Sequence, residues 1–299
     1  MADSGSIGDY RELAAWQWTD SDGITIRGRR REAADGAATL HWLSGNGFCG
    51  GVYWPFLRQL DARFGLITHD MAGHGESDPV EDFVGVSKTV ERVQAGFGQL
   101  APPRPRVAIG HSFGAALSLR SVARGLIDCD ALVLLDPIIL PTRYWLATKA
   151  SGRLGRNPMA QAARRRRAVW EDADAARERL RDRGIYKGWR DEALDAFISH
   201  ATCDTPEGRA LVCAPELEAQ IFENPLYLWR DIPKLSIPTL YVYGEKSYFF
   251  LAPSARRVRK RHAQTTVQAL PGGHCFMLED PESSAQFVSD WLGEVLPSG

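Results

Sequence analysis

The stretch RVAIGHSFGAALSLRSVA, residues 106–123, decides the fold. An apolar run of strand character enters it at Arg106, and an Ala/Leu-rich run of helical spacing leaves it at Ala115. Only Gly110-His111-Ser112-Phe113-Gly114 stands between them. A strand-to-helix turn this short forces its central residue into strained backbone geometry, and a glycine two residues away on either side lets neighbouring backbone approach. Ser112 then stands exposed at the tip. The N-terminus of the following helix points at it, so free N–H groups and the helix dipole favour negative charge developing there.

A serine hydroxyl is a poor nucleophile near neutral pH and needs a general base within hydrogen-bond reach. His274, in Pro271-Gly272-Gly273-His274-Cys275-Phe276, follows the strand-like TTVQAL of residues 265–270. That puts it on a loop at the same edge of the sheet as Ser112. His111 is built into the turn, His200 lies in a helical segment, His262 in a basic helix and His74 in the tight turn DMAGHGES, so all rank below His274. A carboxylate must orient the imidazole and stabilise the imidazolium, and in this arrangement it falls between serine and histidine at a strand end. Asp136, ending ALVLLD, and Glu245, just after YVYG, both qualify. Asp136 is preferred because Pro137 follows it directly, whereas Lys246 offers Glu245 a surface partner. A tetrahedral oxyanion needs two backbone donors. Phe113 N–H is the first, and the glycine-dense loop Ser44-Gly45-Asn46-Gly47-Phe48 is expected to supply the second from Phe48, with Gly47 next.

Outward from this turn, strand-like runs start at Ile24, Ala38, Gly65, Arg106 and Ala131, with helical patterns over 55–64, 87–100 and 115–124. Alternation of this kind implies a largely parallel sheet covered on both faces. After Asp136 it stops for roughly a hundred residues of helical, Arg-, Ala- and Trp-rich sequence. It resumes with IPTLYVYG from Ile237, a basic helix over 253–262, TTVQAL and a closing helix over 281–296. The expected organisation is a core of residues 1–137 and 236–299 around a helical insert of residues 138–235.

The 299 residues are 44% hydrophobic and 24% charged, an ordinary globular composition, and the net charge of -1 gives no overall attraction to nucleic acid or an anionic membrane. Charge is unevenly spread: Lys149 to Arg190 carries 13 basic residues against 5 acidic. A solvated helix face explains such a run, and so does a positive rim attracting an anionic substrate or carrier. Five cysteines without a C-x-x-C pair suggest neither a disulfide framework nor zinc. An acidic, polar start and the lack of a long apolar stretch point to a cytoplasmic protein.

The motifs SGNGF, DMAGHGES, GHSFG, LLDP and PGGHCFMLEDPE occur in that order between Ser44 and Glu282. Together they resemble the α/β-hydrolase superfamily, in its form with a helical cap, over Ala38 to Leu296. The resemblance implies an α/β-hydrolase fold: a mostly parallel eight-stranded sheet, helices on both faces, a helical cap inserted after strand six, and no cofactor or metal. It agrees with the roles given to Ser112, His274 and Phe113. Two positions depart from the common pattern. Asn46-Gly47 stands where many members have His-Gly, and Ser247 stands where many have the acid after strand seven; a second arrangement, with the acid directly after strand six, matches Asp136. A serine nucleophile excludes the alkyl-enzyme chemistry of dehalogenases and epoxide hydrolases. The expectation is a carboxylic-ester hydrolase acting on small to medium hydrophobic esters. Thioester or C–C hydrolysis uses the same constellation, and a hydrolase-fold receptor that only binds a small molecule is the alternative of another class. The expected partner is a small hydrophobic acyl substrate, with neither nucleic acid nor membrane, and a homodimer is left open.

Overall fold

Thr39–Leu43, Gly65–His69 and Ala131–Leu135 are buried at every residue, as in strands covered on both faces. They lie inside an eight-stranded sheet in the computed structural model, which describes residues 8–60 and 62–296. Residues 1–7, part of the polar start noted above, lie outside the described residues. The first half of the core is built from β1 (Ala14–Thr19), β2 (Thr25–Arg31), β3 (Thr39–Leu43), α1 (Trp54–Leu57), β4 (Gly65–His69), α2 (Val86–Leu100), β5 (Arg106–His111), α3 (Ser112–Ala123) and β6 (Ala131–Leu135). The insert holds α4 (Thr142–Arg153), α5 (Pro158–Arg164), β7 (Val169–Trp170), α6 (Ala173–Leu180), α7 (Asp191–His200), β8 (Thr202–Thr205), β9 (Gly208–Leu211) and α8 (Pro215–Glu223). The core resumes with β10 (Thr239–Gly244), α9 (Leu251–Arg261), β11 (Thr265–Leu270), α10 (Phe276–Glu279) and α11 (Pro281–Val295).

The strand order is β1-β2-β4-β3-β5-β6-β10-β11, and only the pairings made by β2 are antiparallel. Side chains alternate between the two faces of each strand. Val107, Ile109, Val133, Leu240 and Val242 pack in one cluster with Phe56 of α1 and Val288 and Leu292 of α11. Ala108, Leu132, Leu134 and Tyr241 pack in the other with Val93 of α2, Leu117 of α3 and Val258 of α9. Each fully buried aliphatic contributes roughly 1.5–3 kcal/mol through burial. Because β3, β5, β6, β10 and β11 run parallel, the loops that follow them open at one edge of the sheet. That edge gathers the residues after Leu43, His111, Leu135, Gly244 and Leu270.

Three elements differ from the sequence reading. β1 pairs with β2 from Ala14↔Arg30 to Thr19↔Thr25, although AAWQWT exposes both alanines and so lacks a clear alternating apolar pattern. The helix expected over 55–64 is a single turn, α1, entered through a 3-10 turn at Gly50–Tyr53. The insert is not all helical: β7, β9 and β8 form a small antiparallel sheet whose four-residue strands TCDT and GRAL are too short and too polar to announce themselves.

Candidate active site

The strand-to-helix turn has the geometry its glycines require. Ser112 sits at φ 54 in the left-handed region. A Cβ on Gly110 would stand 2.7 Å from the Gly114 carbonyl carbon, and one on Gly114 would stand 2.2 Å from the Leu43 carbonyl oxygen, so neither position admits a side chain. Ser112 is the first residue of α3, which leaves the Phe113 N–H among the groups with no partner inside the helix.

Ser112 Oγ lies 3.0 Å from His274 Nε2, and His274 Nδ1 lies 2.5 Å from Asp136 Oδ2. Ser112 is 8% exposed and Asp136 fully buried. With Nδ1–H donating to the carboxylate, Nε2 is left to accept the Ser112 hydroxyl proton. Asp136 follows β6 in the left-handed conformation, φ 46, which aspartate tolerates better than most residues. Its carboxylate takes two more donors: Gly244 N–H at 2.8 Å on Oδ1 and Ser247 Oγ at 2.5 Å on Oδ2. Glu245, the alternative acid, points elsewhere; its side chain is exposed while its backbone N–H donates to the Leu270 carbonyl.

The loop after β3, expected to supply the second oxyanion donor, differs from the expectation. Phe48 N–H donates to the Gly45 carbonyl in a turn, and Gly47 N–H donates to His74 Nε2 at 3.1 Å, so both expected donors are already engaged. Gly45 packs against the turn, where a Cβ would stand 3.4 Å from Ser112 Cβ. The next N–H, that of Asn46, has no partner among the described residues. Its side chain is tied to the insert, Nδ2 donating to the Glu218 carbonyl at 2.9 Å.

The residues around this chain of bonds are fixed in turn. His111 Nε2–H donates to the His274 carbonyl at 2.8 Å, and its Nδ1 accepts from Tyr53 Oη at 2.7 Å, which itself accepts Gly45 N–H at 3.3 Å. Burial, and then the neighbouring His274, hold the His111 pKa well below the usual range, so the ring stays neutral in this tautomer. His74 donates from Nδ1 to the Ala72 carbonyl and is held neutral by burial, its pKa pushed down to about 4. The insert closes over the loop: Phe48 meets Trp189 at 5.6 Å and Phe197 at 5.8 Å between ring centroids. Above them Arg166 bonds both Glu218, at 2.5 Å, and the Tyr186 hydroxyl.

Residues 40–287 match the model of the alpha/beta hydrolase family. The chain belongs to the alpha/beta hydrolase family. Among curated relatives, the uncharacterized protein YqjL of Bacillus subtilis (strain 168) is 25% identical over 118 residues, 40% of this chain and 46% of that protein, so the match spans less than half of its length. The abhydrolase domain-containing protein ACTT2-1 of Alternaria alternata is 24% identical over 63% of this chain and 83% of its own. Among solved structures, an E-2-(acetamidomethylene)succinate hydrolase superposes with a TM-score of 0.75 at 21% identity, over 94% of this chain and 99% of the other. The thioesterase domain from the curacin biosynthetic pathway gives 0.72 at 17%, over 92% and 98%. These likenesses establish the fold.

Within this alpha/beta hydrolase, several site residues were not singled out from sequence. Tyr53 and His74 hold the loop after β3 and carry no local signal, because their partners are 8 and 27 residues away along the chain. Ser247 did carry one, since it stands where the acid is commonly found. Tyr248, next to it, lies 4.9 Å from the His274 ring, and burial pushes its pKa up to about 12.

Proposed function

We propose that the protein is a serine hydrolase of carboxylic esters, acting through Ser112, His274 and Asp136. The observation that carries this reading is the unbroken chain from Ser112 Oγ through His274 to Asp136, at 3.0 and 2.5 Å. His274 Nε2 takes the hydroxyl proton as Ser112 Oγ attacks the ester carbonyl, and Asp136 stabilises the imidazolium. The tetrahedral oxyanion is received by Phe113 N–H at the start of α3 and by Asn46 N–H, which replaces Phe48 and Gly47 in that role. Collapse expels the alcohol with the proton from His274, and a water activated by the same nitrogen releases the acid. Residues 138–235 act as a cap, seated on the loop after β3 through the packing of Trp189 and Phe197 on Phe48, over an apolar acyl or alcohol group.

The test is initial rates on p-nitrophenyl esters from acetate to laurate, with native protein and Ser112→Ala in parallel. Multiple turnover that falls by about a millionfold in the variant is the expected result. Folded native protein that binds such esters without turning them over would discard the esterase reading in favour of a small-molecule receptor.

A further inference from the structure

The whole-chain charge near zero conceals a strong local imbalance. From Pro137 to Trp170 the chain contains 8 Lys or Arg and no Asp or Glu. Arg164 and Arg166 are paired with Glu216, Glu223 and Glu218 of α8. Arg143, Lys149, Arg153, Arg156 and Arg165 form no ion pair among the described residues.

Residues three and four apart share a helix face. Arg143, Leu146, Lys149, Ala150 and Arg153 form such a stripe on α4, and all are exposed; α4 has no buried residue. The opposite side of α4 is fixed to the insert. There a Cβ on Gly152 would stand 2.9 Å from the Glu223 carbonyl oxygen, and Trp145 Nε1–H donates to the Pro225 carbonyl at 2.9 Å. Leu146 is 56% exposed, Leu154 in the loop to α5 68%, and Phe249, edge-on to Tyr144 at 5.3 Å, 71%. Leu146 and Leu154 therefore alternate with cations that form no ion pair among the described residues, whereas Tyr144, on which Phe249 packs, lies on the far side of α4 from this stripe.

We propose that this face of α4, with the loop to α5, docks on an anionic lipid membrane. Cations at headgroup level and apolar tips reaching the acyl boundary are what such an interface recruits. A protein partner would favour a concave, desolvated anchor site, whereas the residues of this stripe all stand exposed. The inference departs from the expectation of no membrane contact, which rested on the net charge and on the lack of a long apolar stretch, and it does not depend on the reaction assigned to Ser112.

Flotation with vesicles of phosphatidylcholine, alone and with added phosphatidylglycerol, tests the docking. Native protein and Ser112→Ala should bind the anionic vesicles equally, and high salt should release both. Arg153→Glu/Arg156→Glu should weaken binding by about tenfold or more. Leu154→Ser should weaken it severalfold with the salt dependence kept. All these positions are exposed, and circular dichroism checks the fold of each variant. No binding to anionic vesicles at low salt, equal binding to neutral ones, or binding untouched by the charge reversals would overturn the proposal. So would capture of the native protein by an acidic acyl-carrier protein but by neither vesicle.

Discussion

Two pairs of histidines touch inside this molecule, and their surroundings are opposite. His111 and His274, with ring centroids 4.6 Å apart at the sheet's C-terminal edge, have a partner on every ring nitrogen. His41 on β3 and His69 on β4, 5.6 Å apart in the body of the sheet, are packed by Phe97 and Trp16. Both nitrogens of His41 and Nδ1 of His69 lack a partner among the described residues. At the edge, bonds fix each tautomer, so proton position is defined where a reaction needs it. In the body, the rings are held by packing and kept neutral by burial, His41 pushed down to about 4 and His69 held well below the usual range by burial and then by the neighbouring His41.

Removing the charge behind the bonded pair gives the largest effect after loss of Ser112 itself. Asp136→Asn leaves the shape but lets His274 adopt the wrong tautomer, so kcat on p-nitrophenyl esters should fall roughly ten-thousandfold while the thermal midpoint moves little. A fall of less than tenfold would mean that the carboxylate does not orient the base.

The unbonded pair is probed through stability. Because the folded pKa of His41 lies below its unfolded value near 6.5, the unfolded chain binds more protons as pH falls. Stability is then fully present above about 6.5 and is lost down to about 4, with about 3 kcal/mol involved for His41. Urea unfolding across this window should show a slope to which the other histidines with lowered pKa values also contribute, and His41→Leu should make it shallower without abolishing it. A slope unchanged in His41→Leu would remove His41 as a source.

The smallest effect tests whether the bonds around His111 reach the site. Tyr53→Phe deletes the hydroxyl shared by Gly45 N–H and His111 Nδ1, and kcat should fall about tenfold with KM unchanged. A change in KM alone would place Tyr53 in substrate binding.

How much of this was legible depended on whether the signal was local. GHSFG could be read because its neighbours in sequence are its neighbours in space. Asp136 could be preferred because a strand end and a proline mark it, but proof of its contact with His274 needed two segments 138 residues apart to meet. Which N–H of the loop after β3 is left free was not legible, since glycine content alone does not say which N–H a turn consumes. Phe48 N–H closes a bond to Gly45, and His74, from a motif with no chemical role expected, takes Gly47 N–H. The small sheet of the insert was invisible for a related reason, because its short strands are defined by their pairing more than by their composition.

Ser247 gives the site a second possible host for its charge. Its Oγ and His274 Nδ1 both stand 2.5 Å from one oxygen of Asp136, so a side chain rooted after β10 already reaches the spot that one rooted after β6 supplies. Two anchor points address a single position in space. An ancestor or a designer could move the carboxylate from one strand to the other through intermediates that keep it beside the imidazole, which makes the placement of the acid in this fold a matter of lineage as much as of chemistry.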